Sequence, residues 1–217
     1  DELPGGVPQK AGVPIADLMT GMYGAVAILG ALRERDTSGK GQYIDMALLD
    51  TQVAWLMNHN RNCFVSGNVP KRWGNAHPSL TPYQDFPTKD GNLILAIGND
   101  SQFRKFCGVA GLSIAMEPRF ADNKSRLTNR SALVALIAEA MKTKSTADWM
   151  VALEAEGVPC GPINTIDQVF ADPQVIHRGL RMDLPHSAAG TVPQVANPIR
   201  YARTPLQYHA GPPVLGE

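Results

Sequence analysis

A long stretch with almost no charge, near the start of the chain, constrains its fold more than any other feature. Residues 15–32 contain a single charged side chain, Asp17. Glycine and alanine occupy much of one side of this stretch and allow another backbone to come close. The sequence therefore predicts a helix over residues 15–35 that is buried on most sides. The apolar members recur at the spacing of a helix face: Ile15, Leu18, Met19, Met22, Val26, Leu29 and Leu32.

Charge and size exclude several classes of protein. Arg33 to Asp36 end the longest apolar run, so we expect no membrane span. The chain has 20 basic and 20 acidic residues and offers no basic surface for nucleic acid or an anionic membrane. With 217 residues, of which 44% are hydrophobic, it is long enough to bury a core.

The three cysteines give no sign of a disulfide framework or a metal site. Cys63, Cys107 and Cys160 lie far apart and form no CxxC pair. We therefore expect no bound metal and a cytoplasmic location. Both ends of the sequence are irregular and the first residue is not methionine, which leads us to expect a fragment of a longer polypeptide.

The first half of the chain then alternates between strand and helix patterns. Residues 42–46 predict a strand and residues 47–58 predict a helix, which together favour an α/β layer. A segment rich in asparagine, glycine and proline follows from residue 59, and such segments often carry function.

The second half predicts a further mixture of helices and strands. A buried strand is expected in NLILAIGND, an extended segment in VPCGPIN, and β-structure after Gly179. Helices are expected to begin at Ser101, Ser131, Ser145, Thr165 and Asp172.

Asp17 is the first candidate for chemistry. A carboxylate at a helix N-terminus is often only a cap. The helix dipole also favours its ionised form, which a nucleophile or a base requires. The residues by themselves leave both interpretations open.

The second candidate is the segment RWGNAHPSLTPYQ. His77 lies there among small polar residues, and Gly74, Asn75 and Ser79 can offer backbone N–H and amide groups to an anion. A single loop histidine is more often structural, so this signal is weak alone. Cys160 is better interpreted as a structural thiol, because no cation is evident beside it.

Three blocks of the sequence, in this order, resemble the class III CoA-transferases. The blocks are IADLMTGMYGAVAILGALRERDTSGKGQYIDMALLD, RWGNAHPSLTPYQDFPTKDGNLILAIGND and GVPCGPINTIDQVFADPQVIHRG. Members of this family include formyl-CoA transferase, carnitine CoA-transferase and the bile-acid-inducible CoA-transferase. The closing PPVLGE is also similar, so the resemblance covers essentially the whole chain. The family's N-terminal half has no counterpart here.

The resemblance implies an α/β fold made of the later part of a Rossmann-like large domain and a smaller α+β domain. We accordingly expect residues 1–65 in the large domain, residues 66–185 in the small domain, and residues 186–217 returning toward the large domain. In this family two chains interlock, which implies a homodimer.

The resemblance also implies a catalytic role for Asp17, which opens a helix in the family's D-x-x-T-G-M context. Its carboxylate is expected to attack the thioester of an acyl-CoA. An aspartyl-CoA thioester follows, and CoA then passes to an acceptor carboxylic acid. Acyl-CoA is thus a substrate, and no tightly bound cofactor is expected.

Residues 74–81 align with the glycine-rich loop that covers the active site in formyl-CoA transferase. Here HPSL replaces the glycines, so we hypothesise that His77 and Ser79 hold the carboxylate of a dicarboxylic acyl group such as succinyl. Gly74, Asn75 and Leu48 complete the expected substrate-binding residues.

Two alternatives stay open. The α-methylacyl-CoA racemases also use an aspartate at this point, as a base, although a glycine run follows theirs where this sequence has DLMTGM. The chain can also be a non-catalytic fragment that only dimerises.

Overall fold

The computed structural model describes residues 10–216, which fall into two compact units. The first unit ends at Asn75 and the second begins at Ala76. Helices and strands are both present, which confirms the predicted α/β class. The Rossmann-like character of the large domain and the divisions at residues 65 and 185 stay predictions.

The described part of the first unit is helical. Its helices are α1 (Ile15–Ser38), α2 (Leu48–Ala54) and α3 (Met57–Ser66). Helix α1 was predicted and extends three residues beyond the predicted end at residue 35. It ends because Gly39 adopts a left-handed φ of 72°, from which its N–H donates to the carbonyl of Arg35 over 2.8 Å.

The prediction that α1 is buried on most sides was wrong for the described residues. None of its residues is buried, and Val26 and Leu29 are 64% and 66% exposed. Within the first unit α1 packs against α2, and residues 10–75 supply no sheet to cover its remaining sides. The apolar pattern therefore predicts the helix correctly but does not predict its burial.

Two local predictions in this unit were also wrong. Residues 42–46 are not a strand, because a strand needs a hydrogen-bonded neighbour and residues 10–75 contain none. The helix expected over residues 47–58 is divided into α2 and α3. Met57 has a φ of 52°, which no continuous α-helix accommodates.

Helix α1 also reaches the length and composition of a membrane span, contrary to expectation. It has 24 residues, and its most apolar window has a mean hydropathy of 1.6. Arg33 to Asp36 end the apolar run only after it has reached that length. One such helix near an N-terminus is weak evidence for a membrane, because a core helix meets the same criteria.

The second unit is built on a three-stranded antiparallel sheet. Its strands are β1 (Tyr83–Pro87), β2 (Asn92–Ala96) and β3 (Cys160–Pro162), with β2 in the centre. Phe86 pairs with Leu93 and Leu95 pairs with Cys160. Strand β2 alternates, with Leu93 and Leu95 buried, so the sheet presents one apolar face to the helices.

Four helices accompany this sheet: α4 (Asp100–Ala110), α5 (Asn123–Thr128), α6 (Arg130–Met141) and α7 (Thr146–Ala155). Ser145 caps α7 as predicted, since its hydroxyl accepts from the N–H of Asp148 over 3.1 Å. The predicted start of α4 at Ser101 was wrong by two residues. Asn99 provides that cap and accepts from the N–H of Gln102 over 2.9 Å.

The core of this unit lies between the sheet and these helices. Trp149 is 1% exposed, and its indole N–H donates to the carbonyl of Met141 over 2.8 Å, so its polar atom is satisfied inside the core. The other large buried apolar side chains include Phe86, Leu93, Leu95, Phe103, Phe106, Phe120, Leu133, Ile137 and Leu153.

The final part of the unit contains α8 (Ile166–Ala171), α9 (Pro173–His177), β4 (Arg181–His186) and β5 (Gly190–Val195). Thr165 and Asp172 precede the two short helices as predicted. Strands β4 and β5 form a separate antiparallel hairpin in the region where the sequence predicts β-structure.

Candidate functional site

Asp17 lies in the first turn of α1 as its third residue. The helix begins after Pro14, which provides no side-chain cap, and Asp17 does not occupy the cap position. Its side chain is exposed and has no hydrogen-bond or ion-pair partner among residues 10–216. The structure therefore gives no support to the interpretation of Asp17 as a cap. It leaves the carboxylate available for chemistry at the positive end of the helix dipole.

A cavity of about 610 Å³ lies beside Asp17 within the first unit. This volume is in the range of small-molecule sites, about 300–1,000 Å³. Helix α2 forms its other wall. The lining is mainly apolar around the one carboxylate, and consists of Lys10, Ala11, Val13, Pro14, Ile15, Ala16, Asp17, Met19, Thr51, Gln52, Trp55 and Leu56.

Leu48 lies at the start of α2 and is 51% exposed. It does not line the cavity beside Asp17. Its role in substrate binding stays a prediction. Gln52 on α2 and Trp55, which directly follows that helix, are cavity residues that sequence reasoning missed. Their position within one helix turn of the buried Thr51 becomes evident only once α2 is placed against α1.

Gly74 and Asn75 are the last residues of the first unit and form a turn. Gly74 has a φ of 59°, and a Cβ atom built there meets no other atom within 4 Å. Backbone conformation, and not crowding, therefore accounts for glycine at this position.

His77 and Ser79 lie close together at the start of the second unit. The N–H of Ser79 donates to Nδ1 of His77 over 3.1 Å, so the neutral ring carries its proton on Nε2. The ring stacks on Tyr83 with centroids 5.2 Å apart, and the N–H of His77 donates to the carbonyl of Tyr83 over 2.9 Å. His77 is half-buried and Ser79 is exposed. The structure thus joins these two predicted residues in one ordered loop.

Three side chains that the sequence did not single out contact this loop. Asn123, Arg126 and Arg130 come from α5 and α6, and each donates to a backbone carbonyl between residues 77 and 81. Arg126 lies near the end of α5 and Arg130 begins α6, so the two arginines are close in sequence but on separate helices. Their contact with a loop about 50 residues earlier in the chain is set by tertiary structure alone.

Cys107 and Cys160 lack the environment of catalytic thiols. Burial raises the pKa of the Cys107 thiol to about 11. Burial also raises the pKa of Cys160, with a further contribution from Glu154. Thiolates are the reactive form, so both residues are poor nucleophiles near neutral pH.

The chain matches known proteins along nearly its whole length. The model of CoA-transferase family III matches residues 2–217. The succinate–glutarate CoA-transferase of Agrobacterium fabrum is 47% identical over 215 residues, which make up 99% of this chain and 54% of that protein. The succinyl-CoA:glutarate CoA-transferase of Homo sapiens is 37% identical over 213 residues, or 98% of this chain and 49% of that protein.

The fold matches as well. A crystal structure of a CAIB/BAIF family protein from Brucella suis superposes with a TM-score of 0.81 at 43% identity, covering 98% of this chain and 55% of that one. The chain therefore spans about half the length of the relatives that it matches.

Proposed function

Since this chain belongs to CoA-transferase family III, we propose that it carries the nucleophile of an enzyme that transfers CoA from an acyl-CoA to a free carboxylic acid. The observation that carries the proposal is Asp17, a carboxylate in the first turn of α1 that has no partner among residues 10–216 and lies at the edge of a cavity of about 610 Å³. The names of the relatives are those of transferases, which supports this proposal over a racemase.

The proposed reaction begins when an oxygen of the Asp17 carboxylate attacks the thioester carbonyl. The C–S bond breaks, CoA leaves as a thiolate, and a mixed anhydride forms. The thiolate then attacks the aspartyl carbonyl, which releases the donor acid and leaves an aspartyl-CoA thioester. The acceptor carboxylate attacks this thioester, and the thiolate finally attacks the acceptor's carbonyl in the second anhydride. Asp17 is regenerated, and no proton need be transferred.

Water must be excluded, because it hydrolyses both the anhydride and the thioester. Met19, Trp55 and Leu56 give the cavity apolar walls, but Asp17 itself is exposed in this chain. The relatives are about twice as long. We propose that further residues of the full-length polypeptide cover Asp17 and bind the nucleotide part of CoA.

We propose dicarboxylic acids as the substrates, with succinyl-CoA as donor and glutarate as acceptor. The relatives' names support this choice. In this proposal His77 and Ser79 bind the carboxylate that does not react, while Gly74, Asn75 and Leu48 remain proposed contacts. We further propose a cytoplasmic homodimer, and light scattering on the full-length polypeptide tests its oligomeric state.

Mass spectrometry tests the nucleophile directly. The full-length polypeptide is incubated with succinyl-CoA and no acceptor, and its intact mass is measured. We expect a gain equal to CoA less one water, located on the peptide that contains Asp17. Asp17→Asn must abolish the adduct, and Asp36→Asn, on the same helix, must retain it. No adduct, or an adduct elsewhere, contradicts the proposal. A parallel sample of the 217-residue chain shows whether these residues suffice.

A further inference from the structure

Five consecutive backbone carbonyls, from His77 to Thr81, accept hydrogen bonds from side chains of α5 and α6. Arg130 provides three of these bonds. Its Nη2 lies 2.9 Å from the carbonyl oxygen of His77, 3.3 Å from that of Pro78 and 3.4 Å from that of Leu80. One nitrogen of the Arg130 guanidinium group therefore donates to three carbonyls of a segment that has no regular secondary structure.

Asn123 and Arg126 complete the set. Asn123 donates through Nδ2 to the carbonyl of Ser79 over 2.9 Å and accepts through Oδ1 from the N–H of Thr81 over 3.3 Å. Arg126 donates through Nε to the carbonyl of Thr81 over 2.9 Å. Surface loops usually direct such carbonyls to water, so this arrangement is a specific restraint on the loop.

The restraint acts on the backbone and leaves Ser79 exposed, while His77 stacks on Tyr83. A loop held in this way loses little conformational freedom when a ligand binds, which favours affinity. Without the restraint the loop becomes ordered only when the ligand binds. The conformational entropy lost in that step weakens binding.

We infer that Asn123 and Arg130 are positioning residues that hold the loop from His77 to Leu80 in its binding conformation and so set the affinity for a dicarboxylic acid. This inference rests on the proposed function, in which His77 and Ser79 bind the unreacted carboxylate. In this inference Arg130 and Asn123 act on the acid only through the loop. Their loss should therefore raise the KM for the acid more than it lowers kcat.

Steady-state kinetics of the full-length polypeptide, with succinyl-CoA as donor, test the inference. Arg130→Gln and Asn123→Asp are expected to raise the KM for glutarate about tenfold and to change kcat by less than about threefold. Arg130→Lys retains a donor and should give an intermediate KM. Pentanoate, which has glutarate's chain length and one carboxylate fewer, should react equally well with the variants and the unsubstituted enzyme.

Asn123→Asp separates positioning from folding. Asn123 is the first residue of α5, where a negative charge suits the helix dipole, and the variant keeps the acceptor for the N–H of Thr81. It replaces the donor to the carbonyl of Ser79 with a carboxylate oxygen, which repels that carbonyl. If Arg130→Gln fails to fold, the KM of Asn123→Asp for glutarate tests the inference by itself. Arg104→Gln, an exposed arginine on α4, is the matched control and should leave both constants unchanged.

An unchanged KM for glutarate in the folded variants overturns the inference, as does an equal fall in kcat with both acids. Failure of the proposed function is distinguishable. It shows as no transfer by the unsubstituted enzyme, or as transfer that persists in Asp17→Asn, and the inference then falls with it.

Discussion

Arg126 donates through Nη2 to Oδ1 of Asp100 over 2.7 Å, although the arginine side chain is 1% exposed and the aspartate 41% exposed. The same guanidinium donates to the carbonyls of Thr81 and Phe120 over 2.9 and 3.1 Å and lies 4.4 Å from the ring centroid of Phe103. A buried arginine with this many partners joins separate segments of the second unit.

Arg126→Met is expected to lower the free energy of unfolding by about 3 kcal/mol, because it leaves two buried carbonyls without their donor. Asp100→Asn should cost less, about 1 kcal/mol, since Asp100 is partly exposed to water. Urea unfolding of the purified chain measures both. Arg119→Met, which breaks an exposed ion pair with Glu117, is the control and should change stability by less than about 1 kcal/mol. Equal losses in Arg126→Met and Arg119→Met contradict the assigned role.

Thr81 is fully buried, and its hydroxyl has no partner within residues 10–216. Thr81→Val keeps the shape of the side chain and removes an unsatisfied polar group. We expect it to leave the free energy of unfolding unchanged or to raise it by up to about 1 kcal/mol. Thr81→Ala loses packing as well and should be destabilised by about 1 kcal/mol. If urea titrations show the valine variant to be as unstable as the alanine variant, the hydroxyl has a partner.

Cys107 makes alkaline stability depend on pH. Its side chain is 2% exposed, and burial raises the pKa of its thiol from 9.0 to about 11. Between these values the folded state holds a proton that the unfolded chain has lost. The contribution of Cys107 is therefore complete below pH 9 and is lost as the pH rises through about 11.

The free energy of unfolding should fall between about pH 8 and about pH 10.5. This fall should be smaller in Cys107→Ala than in the unsubstituted chain, by on the order of 2 kcal/mol. Other groups that titrate in this range are common to both proteins and cancel in the comparison. Cys63→Ala is the control and should retain the full pH dependence. This prediction is wrong if the free energy of unfolding of Cys107→Ala depends on pH as strongly as that of the unsubstituted chain.

Local signals carried much of the fold prediction. Helical periodicity located α1, and Ser145, Thr165 and Asp172 marked helix starts because a cap acts within a few residues of itself. The strand expected over residues 42–46 shows the limit of such signals. A strand depends on a neighbour, and a single stretch of sequence does not show whether that neighbour is present.

The residues of the candidate site also differ in whether local sequence predicts them. The helix dipole and the family resemblance point to Asp17 from the sequence alone. His77 and Ser79 are close in sequence, so their contact could be predicted. The contact of Arg130 with the loop could not be predicted, because its three hydrogen bonds join residues at least 50 positions apart. Helix spacing predicts the face on which an arginine lies, but not the loop that the face will meet.

The fate of a single oxygen atom distinguishes the aspartyl route from direct attack of the acceptor on the acyl-CoA. When the acceptor carboxylate attacks the aspartyl-CoA thioester, one of its oxygens becomes the anhydride bridge. The final attack by thiolate leaves that oxygen on Asp17. In direct attack the bridging oxygen leaves instead with the donor acid.

We therefore expect glutarate labelled with oxygen-18 in its carboxylates to label Asp17 in a single turnover with stoichiometric succinyl-CoA, while the succinate released stays unlabelled. Mass spectrometry of the peptide that contains Asp17 and of the succinate measures both. In later turnovers part of the label should pass from Asp17 into succinate, because either oxygen of the Asp17 carboxylate, the labelled one included, can form the first anhydride bridge. Labelled succinate in the first turnover, together with an unlabelled Asp17, would exclude the aspartyl intermediate and leave Asp17 a role in binding alone.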